Sequence, residues 1–393
     1  MDTKTRGIIT LIKSAVTGEK LTLPEGFSLE DAMEQIRRHS VQALCYQGAF
    51  LCGIPRSEAA MGALFQGYCM ALMQSEGQMA AMKTLFHTFE AHGIDYLPLK
   101  GTILKPLYPK PELRPMGDAD ILIRKKQYGA ICPVMEELGF RQTAQGFYDY
   151  GWKSTDLYVE LHHCLSNPYN TDFNDYLGDG WPRARKAAGG QHLYEYTAED
   201  HFVYLFVHFT KHYRDGGIGM KHAVDLWVYR NANPTMDEGY LQTAIQSMGL
   251  DEFYRNILQM LRVWFEDAAE DEKSLHITQM IFNSGAFGTS EVIRKAVSLR
   301  AANKAGSAKK AKVWRIVRIL FPKRVDLQRR YPVLKKAPFL LPVIWSVRWV
   351  TAALFRKENI RTQKEHMEEV SEANIEAYRE ELRYVGLDYT IKD

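Results

Sequence analysis

A chain of 393 residues, 46% hydrophobic and 25% charged, has the composition of an ordinary soluble globular protein and enough material for two or three domains. Its five cysteines, Cys45, Cys52, Cys69, Cys132 and Cys164, are odd in number and form no C-x-x-C pair, which argues against a disulfide framework or a zinc knuckle and for a reducing compartment. Met1 to Gly18 sets Lys4 and Arg6 before a short apolar run broken by Lys13, too interrupted for a signal peptide or a membrane span, so the cytoplasm is the expected location.

Residues 1–90 read as an N-terminal helical region without evident chemistry. Ser28 followed by Glu30 and Asp31 is a helix start, and Met33, Ile36 and Val41 recur at helical spacing behind it. A longer helix is predicted from Ser57 to Gly93. Its methionines at 61, 70, 73, 79 and 82 are expected in the core rather than on an adaptable binding surface.

The chemistry concentrates between Tyr96 and His163. On a strand, residues two apart share a face, so Asp118 and Asp120 stand side by side while Ala119, Ile121 and Ile123 turn to a core. Asp156 to His163 alternates again, with Leu157, Val159 and Leu161 on one face and Tyr158, Glu160 and His162 on the other. If the two strands are neighbours, Glu160 joins the aspartates. Three carboxylates together repel one another, and a divalent cation removes that cost; oxygen ligands favour Mg²⁺ or Mn²⁺ over zinc. Between these strands, Lys125 to Leu138 is predicted to be a helix ending at Gly139 and bent or split by Pro133. Phe140 to Tyr150 and Trp152 to His163 are predicted as a hairpin, with Gly146 or Gly151 at the turn. A zinc site at His162, His163 and Cys164 fails on geometry, because adjacent strand residues face opposite ways.

A Lys-Gly after a strand, an Arg just before an Asp-x-Asp strand, a helix ending in Leu138-Gly139-Phe140 and then a Glu-Leu-His strand together resemble the uncharacterised branch of the nucleotidyltransferase superfamily, relatives of DNA polymerase beta and the aminoglycoside nucleotidyltransferases. The resemblance covers roughly residues 80 to 230. It implies an α+β fold, a small mixed sheet with flanking helices, and transfer of a nucleoside monophosphate from ATP or another NTP to a hydroxyl by a two-metal, in-line mechanism. It assigns Asp118, Asp120 and Glu160 to metal binding and catalysis, with Glu160 as base. Lys100, Gly101, Thr102 and Arg114 fall on the triphosphate side. Where the superfamily usually has Gly-Ser, this chain has Lys100-Gly101-Thr102. The gap to Asp118 is also long and carries Pro106, Pro109, Pro111 and Pro115, which predicts a loop. His162 is read as an orienting partner for a phosphate or for Glu160, or as a structural histidine.

The catalytic core is expected over 91–175, an irregular stretch from Asn167 to Gln191 as a boundary, and a helical domain over 190–300. Thr197 caps the first helix there. His208 and His212 share a helix face without the glutamate of H-E-x-x-H, so a metalloprotease reading fails. Lys211, His212 and Asp225 are placed near nucleotide or acceptor, with a metal site including Asp225 and simple helix packing as alternatives. Residues 301–393 form a basic linker and C-terminal helices. Between 301 and 364 there are 17 Lys and Arg against two acids, so with the whole chain at +3 the remainder carries −12. That asymmetry predicts an anionic partner, either a nucleic acid or a membrane surface met peripherally through the apolar, Trp-bearing stretches Val313–Leu320 and Ala337–Phe355, or else a solvated face. Two function classes follow: a metal-dependent nucleotidyltransferase whose acceptor is a small molecule, a protein or RNA, and a noncatalytic nucleotide-binding or membrane-associated scaffold.

Overall fold

The computed structural model describes residues 1–146, 148–166, 171–286, 288–305, 317, 320–328, 330–355 and 372–388. It divides into two units, Met1–Thr289 and Ser290–Ile391. The fold is α+β, with a small mixed sheet among many helices.

In the first unit, α1 (Thr3–Thr17), α2 (Leu29–Arg38), α3 (Gln42–Cys52) and α4 (Ala59–Ala91) precede the sheet. Ser28 caps α2 by accepting from the Asp31 amide at 3.2 Å. The helix ends before Val41, because Ser40 takes a φ of 56° and breaks the run. Met61 and Met82 on α4 are buried as expected, but Met70 and Met73, in its middle, are 65% and 77% exposed. The spacing of the methionines is helical throughout; what fails is the core itself, which does not extend beneath that part of α4.

Five strands follow: β1 (Tyr96–Pro98), β2 (Ala119–Ile123), β3 (Arg141–Gln145), β4 (Asp149–Lys153) and β5 (Tyr158–His162). Their spatial order is β1-β2-β5-β4-β3, with β2 and β5 parallel and the other pairs antiparallel. Between β1 and β2 lie the single turn α5 (Gly101–Leu104) and the proline-rich loop; α6 (Tyr128–Glu137) connects β2 to β3. Ala119, Ile121, Ile123, Val159 and Leu161 pack on Leu85 and Phe89 of α4 and on Ile131 and Met135 of α6. That apolar layer closes one face of the sheet and leaves the other for polar groups.

Two local expectations are corrected. The predicted two-stranded hairpin is a three-stranded meander. Gly146 donates to the Asp149 carbonyl at the first turn, and a second turn at Ser154–Leu157 is held by Ser154 N–H on the Leu157 carbonyl, both at 2.9 Å. Gly151 lies inside β4. Pro133 does not split α6, which runs unbroken past it and ends at Gly139, φ 78°.

The stretch expected to be irregular, Asn167 to Gln191, carries α7 (Thr171–Leu177) and β6 (Arg185–Lys186), which pairs with β7 (Tyr194–Glu195) just beyond it. Then come α8 (Ala198–Asp215), α9 (Met220–Ala232), α10 (Glu238–Ser247), α11 (Asp251–Phe265) and α12 (Glu272–Ser284). Thr197 caps α8 by accepting from the Asp200 amide at 3.1 Å.

In the second unit, helices span Ser290–Ala305, Leu341–Phe355 and Glu372–Tyr384. Phe321 packs edge-on against Trp345 and Trp349, at ring distances of 5.2 and 5.1 Å. Most of the expected Val313–Leu320 helix lies outside the described residues, as does the tail before Glu372. Among the described residues no helix is long and apolar enough to cross a membrane.

Candidate active site

Register decides the site. Asp120 of β2 is paired directly with Glu160 of β5, and Leu122 with His162, so both acids and the imidazole share the polar face of the sheet. Asp120, Glu160 and His162 offer ligand atoms that all lie within 4.8 Å of one another. Asp118 lies just before β2, two residues from Asp120, and is half-buried.

Asp120 is 3% exposed. Lys100 donates to its Oδ1 at 2.7 Å and His162 Nε2 donates to the same oxygen at 2.8 Å. Burial alone would push its pKa up, but Lys100 and His162 outweigh it and hold the carboxyl well below the usual range. Its neighbours go the other way. Burial, and then Asp120, raise Asp118. Glu160 is raised by burial, Asp120 and Asp118. One acid is therefore fully satisfied, and two stand in a field that resists their ionisation.

Lys100 takes a φ of 44°, which a non-glycine residue adopts at a cost of about 1–3 kcal/mol. The bend aims its ammonium at Asp120. Thr102 spends both its N–H and its hydroxyl on the Leu99 carbonyl, at 3.2 and 2.6 Å, tightening the turn that presents Lys100. At Gly101 a Cβ would stand 2.5 Å from Arg114 Nη1 and 2.7 Å from Met116 Sδ, so a side chain there would have to displace Arg114 and Met116.

Arg114 is turned toward α9 and grips Asp225 with two bonds, Nε to Oδ1 at 3.0 Å and Nη2 to Oδ2 at 2.9 Å. The Tyr108 hydroxyl donates to the same carboxylate at 2.7 Å. Asp225 is thus the anchor of Arg114.

Lys211 lines a narrow cleft with Lys100, His162, Tyr204 and His208. His208 and His212 stack at 4.4 Å between ring centres, and His222 of α9 stands 5.7 and 5.8 Å from them. Burial depresses all three, with lysines adding to it, and His212 falls to about 3, so this trio is neutral. Two further residues lie near the carboxylates: Lys221, which the sequence sets in one motif with Asp225 without giving it a role, and Tyr204, which it does not single out. Lys221 of α9 lies in the field of Asp118 and Asp225, and its pKa is lowered by burial and by Arg114. Tyr204 of α8 lies against Lys100. The signal for Lys221 was its four-residue spacing from Asp225 on one helix face; Tyr204 had none.

The profile of a family described as uncharacterised nucleotidyltransferase matches residues 25–266. The chain belongs to that family. It is an enzyme of the nucleotidyltransferase class, and its activity is nucleotidyl transfer. No curated protein matches the chain. Among solved structures, the antibiotic-resistance factor ANT(2'')-Ia is similar at 12% identity and a TM-score of 0.35, over 44% of this chain and 93% of that one.

Proposed function

We propose that this nucleotidyltransferase moves a nucleoside monophosphate from an NTP, its phosphates held by Lys100 and Lys211 of the cleft and by Lys221 of α9, to an acceptor hydroxyl brought beside Glu160. The observation that carries the reading is the register that sets Asp120 against Glu160 with Lys100 and His162 on one side.

The donor set suits a hard divalent cation, since acids outnumber their counter-charges and two of them have raised pKa values. Mg²⁺ or Mn²⁺ held by Asp118, Asp120 and Glu160 would lower the pKa of the acceptor hydroxyl and neutralise developing phosphate charge. The chain's own residues supply the rest. Glu160, in its carboxylate form, accepts the hydroxyl proton. Lys100, Lys211 and Lys221 bind the triphosphate and draw off charge as pyrophosphate departs, because phosphoryl transfer is mostly positioning and electrostatics. His162 orients Asp120, while Arg114, Gly101 and Thr102 hold the turn that carries Lys100. Neutral His212 contributes packing against His208 and no charge.

The test is incubation with Mg²⁺ and each α-labelled NTP, alone and with cell extract, beside an Asp118→Ala, Asp120→Ala variant. Label transfer is expected with the native chain only. Transfer that persists in the variant would sink the assignment.

A separate feature supports peripheral attachment of the C-terminal unit to an anionic membrane surface. Phe339, Val343, Val347 and Val350 are all exposed, spaced along one side of the Leu341–Phe355 helix and the turn before it, within the basic segment. Flotation with phosphatidylserine vesicles that is lost in Val343→Asp, Val347→Asp supports it; unchanged flotation rejects it.

A further inference from the structure

A groove of about 550 Å³ opens at the end of the sheet where β2 and β5 begin, within the ~300–1,000 Å³ range of small-molecule sites. Gln74 and Gln78 of α4 form one wall. Thr143, Lys153, Asp156 and Tyr158 form the other, and Gly117 marks the end next to Asp118. Its place along the strands is informative. β2 and β5 run parallel, so Gly117 and Tyr158 lie where these strands begin, the carboxylates come next, and His162 with the lysine cleft follows. The acids stand between groove and cations.

An in-line displacement needs that order. The entering and leaving oxygens occupy opposite sides of the α-phosphorus, and the leaving pyrophosphate is drawn to the lysines. The entering hydroxyl then arrives from the groove. Nothing stands within 4 Å of where a Gly117 side chain would begin, so the groove is not obstructed at the residue next to Asp118. Tyr158 shares the strand face of Glu160 two residues on. Its ring crosses β4 at Gly151, where a Cβ would come within 2.3 Å of the Tyr158 hydroxyl. The absence of a side chain at Gly151 is what lets an aromatic face form part of the wall.

The lining states what it takes. Lys153 and Asp156 balance, and beside the apolar Ala144 and Leu157 the remaining groups are amides, hydroxyls and one aromatic ring. A nucleic acid demands a row of cations that this groove lacks. A molecule with many hydroxyls and no net charge finds donors and acceptors on both walls, with the ring to cover its C–H face.

Resting on the nucleotidyl-transfer reading above, we propose that this groove is the acceptor site and that the acceptor is a small polyhydroxylated molecule of sugar type. One of its hydroxyl oxygens bonds to the α-phosphorus, the bond from that phosphorus to the bridging oxygen breaks, pyrophosphate leaves, and the hydroxyl proton passes to Glu160.

The experiment offers the full chain α-labelled NTP and Mg²⁺ with glucose, N-acetylglucosamine, myo-inositol and maltose, beside an oligoribonucleotide and casein, and measures fluorescent NTP binding in parallel. Label is expected in one of the four neutral compounds. Ala144→Trp, on the exposed strand β3 and pointing into the groove, is expected to cut kcat/KM for that acceptor about tenfold or more while NTP affinity changes less than about twofold. Gln74→Ala, on an exposed helix surface, is expected to raise KM for it with kcat little changed. Equal labelling by Ala144→Trp, label in the oligoribonucleotide or casein instead, or no labelled acceptor while NTP binds normally each overturns the proposal. Absence of NTP binding by the native chain instead overturns the nucleotidyl-transfer site on which it rests.

Discussion

Arg114 with Asp225, and Lys100 with the carboxylates of β2 and β5, are two buried charge clusters in neighbouring parts of one unit. In the first, one cation meets one anion through two hydrogen bonds, and a tyrosine hydroxyl caps the carboxylate. Burial and Asp225 push the Tyr108 hydroxyl well above its usual pKa, so it stays a donor. In the second, Lys100 and His162 bond to one of three acids, Lys221 adds its field, and the other two acids are still pushed toward protonation. The contrast separates scaffold from site: a cluster closed in charge and in hydrogen bonds has nothing left to offer, whereas an acid surplus is stable only with an added cation or an added proton.

The comparison breaks most sharply at Asp120. Asp120→Asn is expected to lower nucleotidyl transfer by about 10⁴-fold or more while the fold survives, as read from label transfer and circular dichroism. The closed cluster is expected to answer in stability instead. Asp225→Ala leaves Arg114 buried without its partner and should cost about 3–5 kcal/mol in urea unfolding. A loss of activity without a loss of stability there would move Asp225 into the site. Third, Mg²⁺ or Mn²⁺ at about 100 times its dissociation constant should add about 2.7 kcal/mol to the native protein. Differential scanning fluorimetry should show that rise, show none in a Glu160→Gln, Asp118→Asn double variant, and show it intact in Tyr108→Phe, which touches only the closed cluster.

The smallest effect concerns pH. His39 is neutral by construction: its Nε2 donates to the Phe282 carbonyl at 3.0 Å and its Nδ1 accepts from the Met220 amide at 3.3 Å. Burial takes its pKa down to about 4 from 6.5. The unfolded chain therefore binds the proton first, and stability falls as pH drops from about 6.5 toward about 4, with the buried His208, His212 and His222 pulling the same way. Tm should decline by a few degrees across that window, and His39→Gln should make the slope shallower by its own share.

The sequence disclosed the period-two pattern, and with it the common face of Asp120, Glu160 and His162, because side-chain alternation is a local property of extended backbone. It did not disclose that β5 slots between β2 and β4, since strand order depends on which apolar faces meet. The second turn at Ser154–Leu157 was missed because its stop signal is a serine hydroxyl rather than a glycine. Asp225 was seen as a site residue but not as the partner of Arg114, 111 residues away, and no spacing rule spans such a distance. Exposure of Met70 and Met73 was equally hidden: helical spacing says which residues share a side, not whether anything packs there.

The bond set on Asp225 also governs motion. Tyr108 and Arg114 both belong to the proline-rich loop between β1 and β2, and both are fastened to a helix of the following half of the unit. A jaw riveted at that point has no hinge there. The cleft of Lys100 and Lys211 encloses only about 40 Å³, less than a nucleotide fills, so its walls must part elsewhere than at this clamp, and rapid-mixing traces should show a slower opening phase besides the concentration-dependent one.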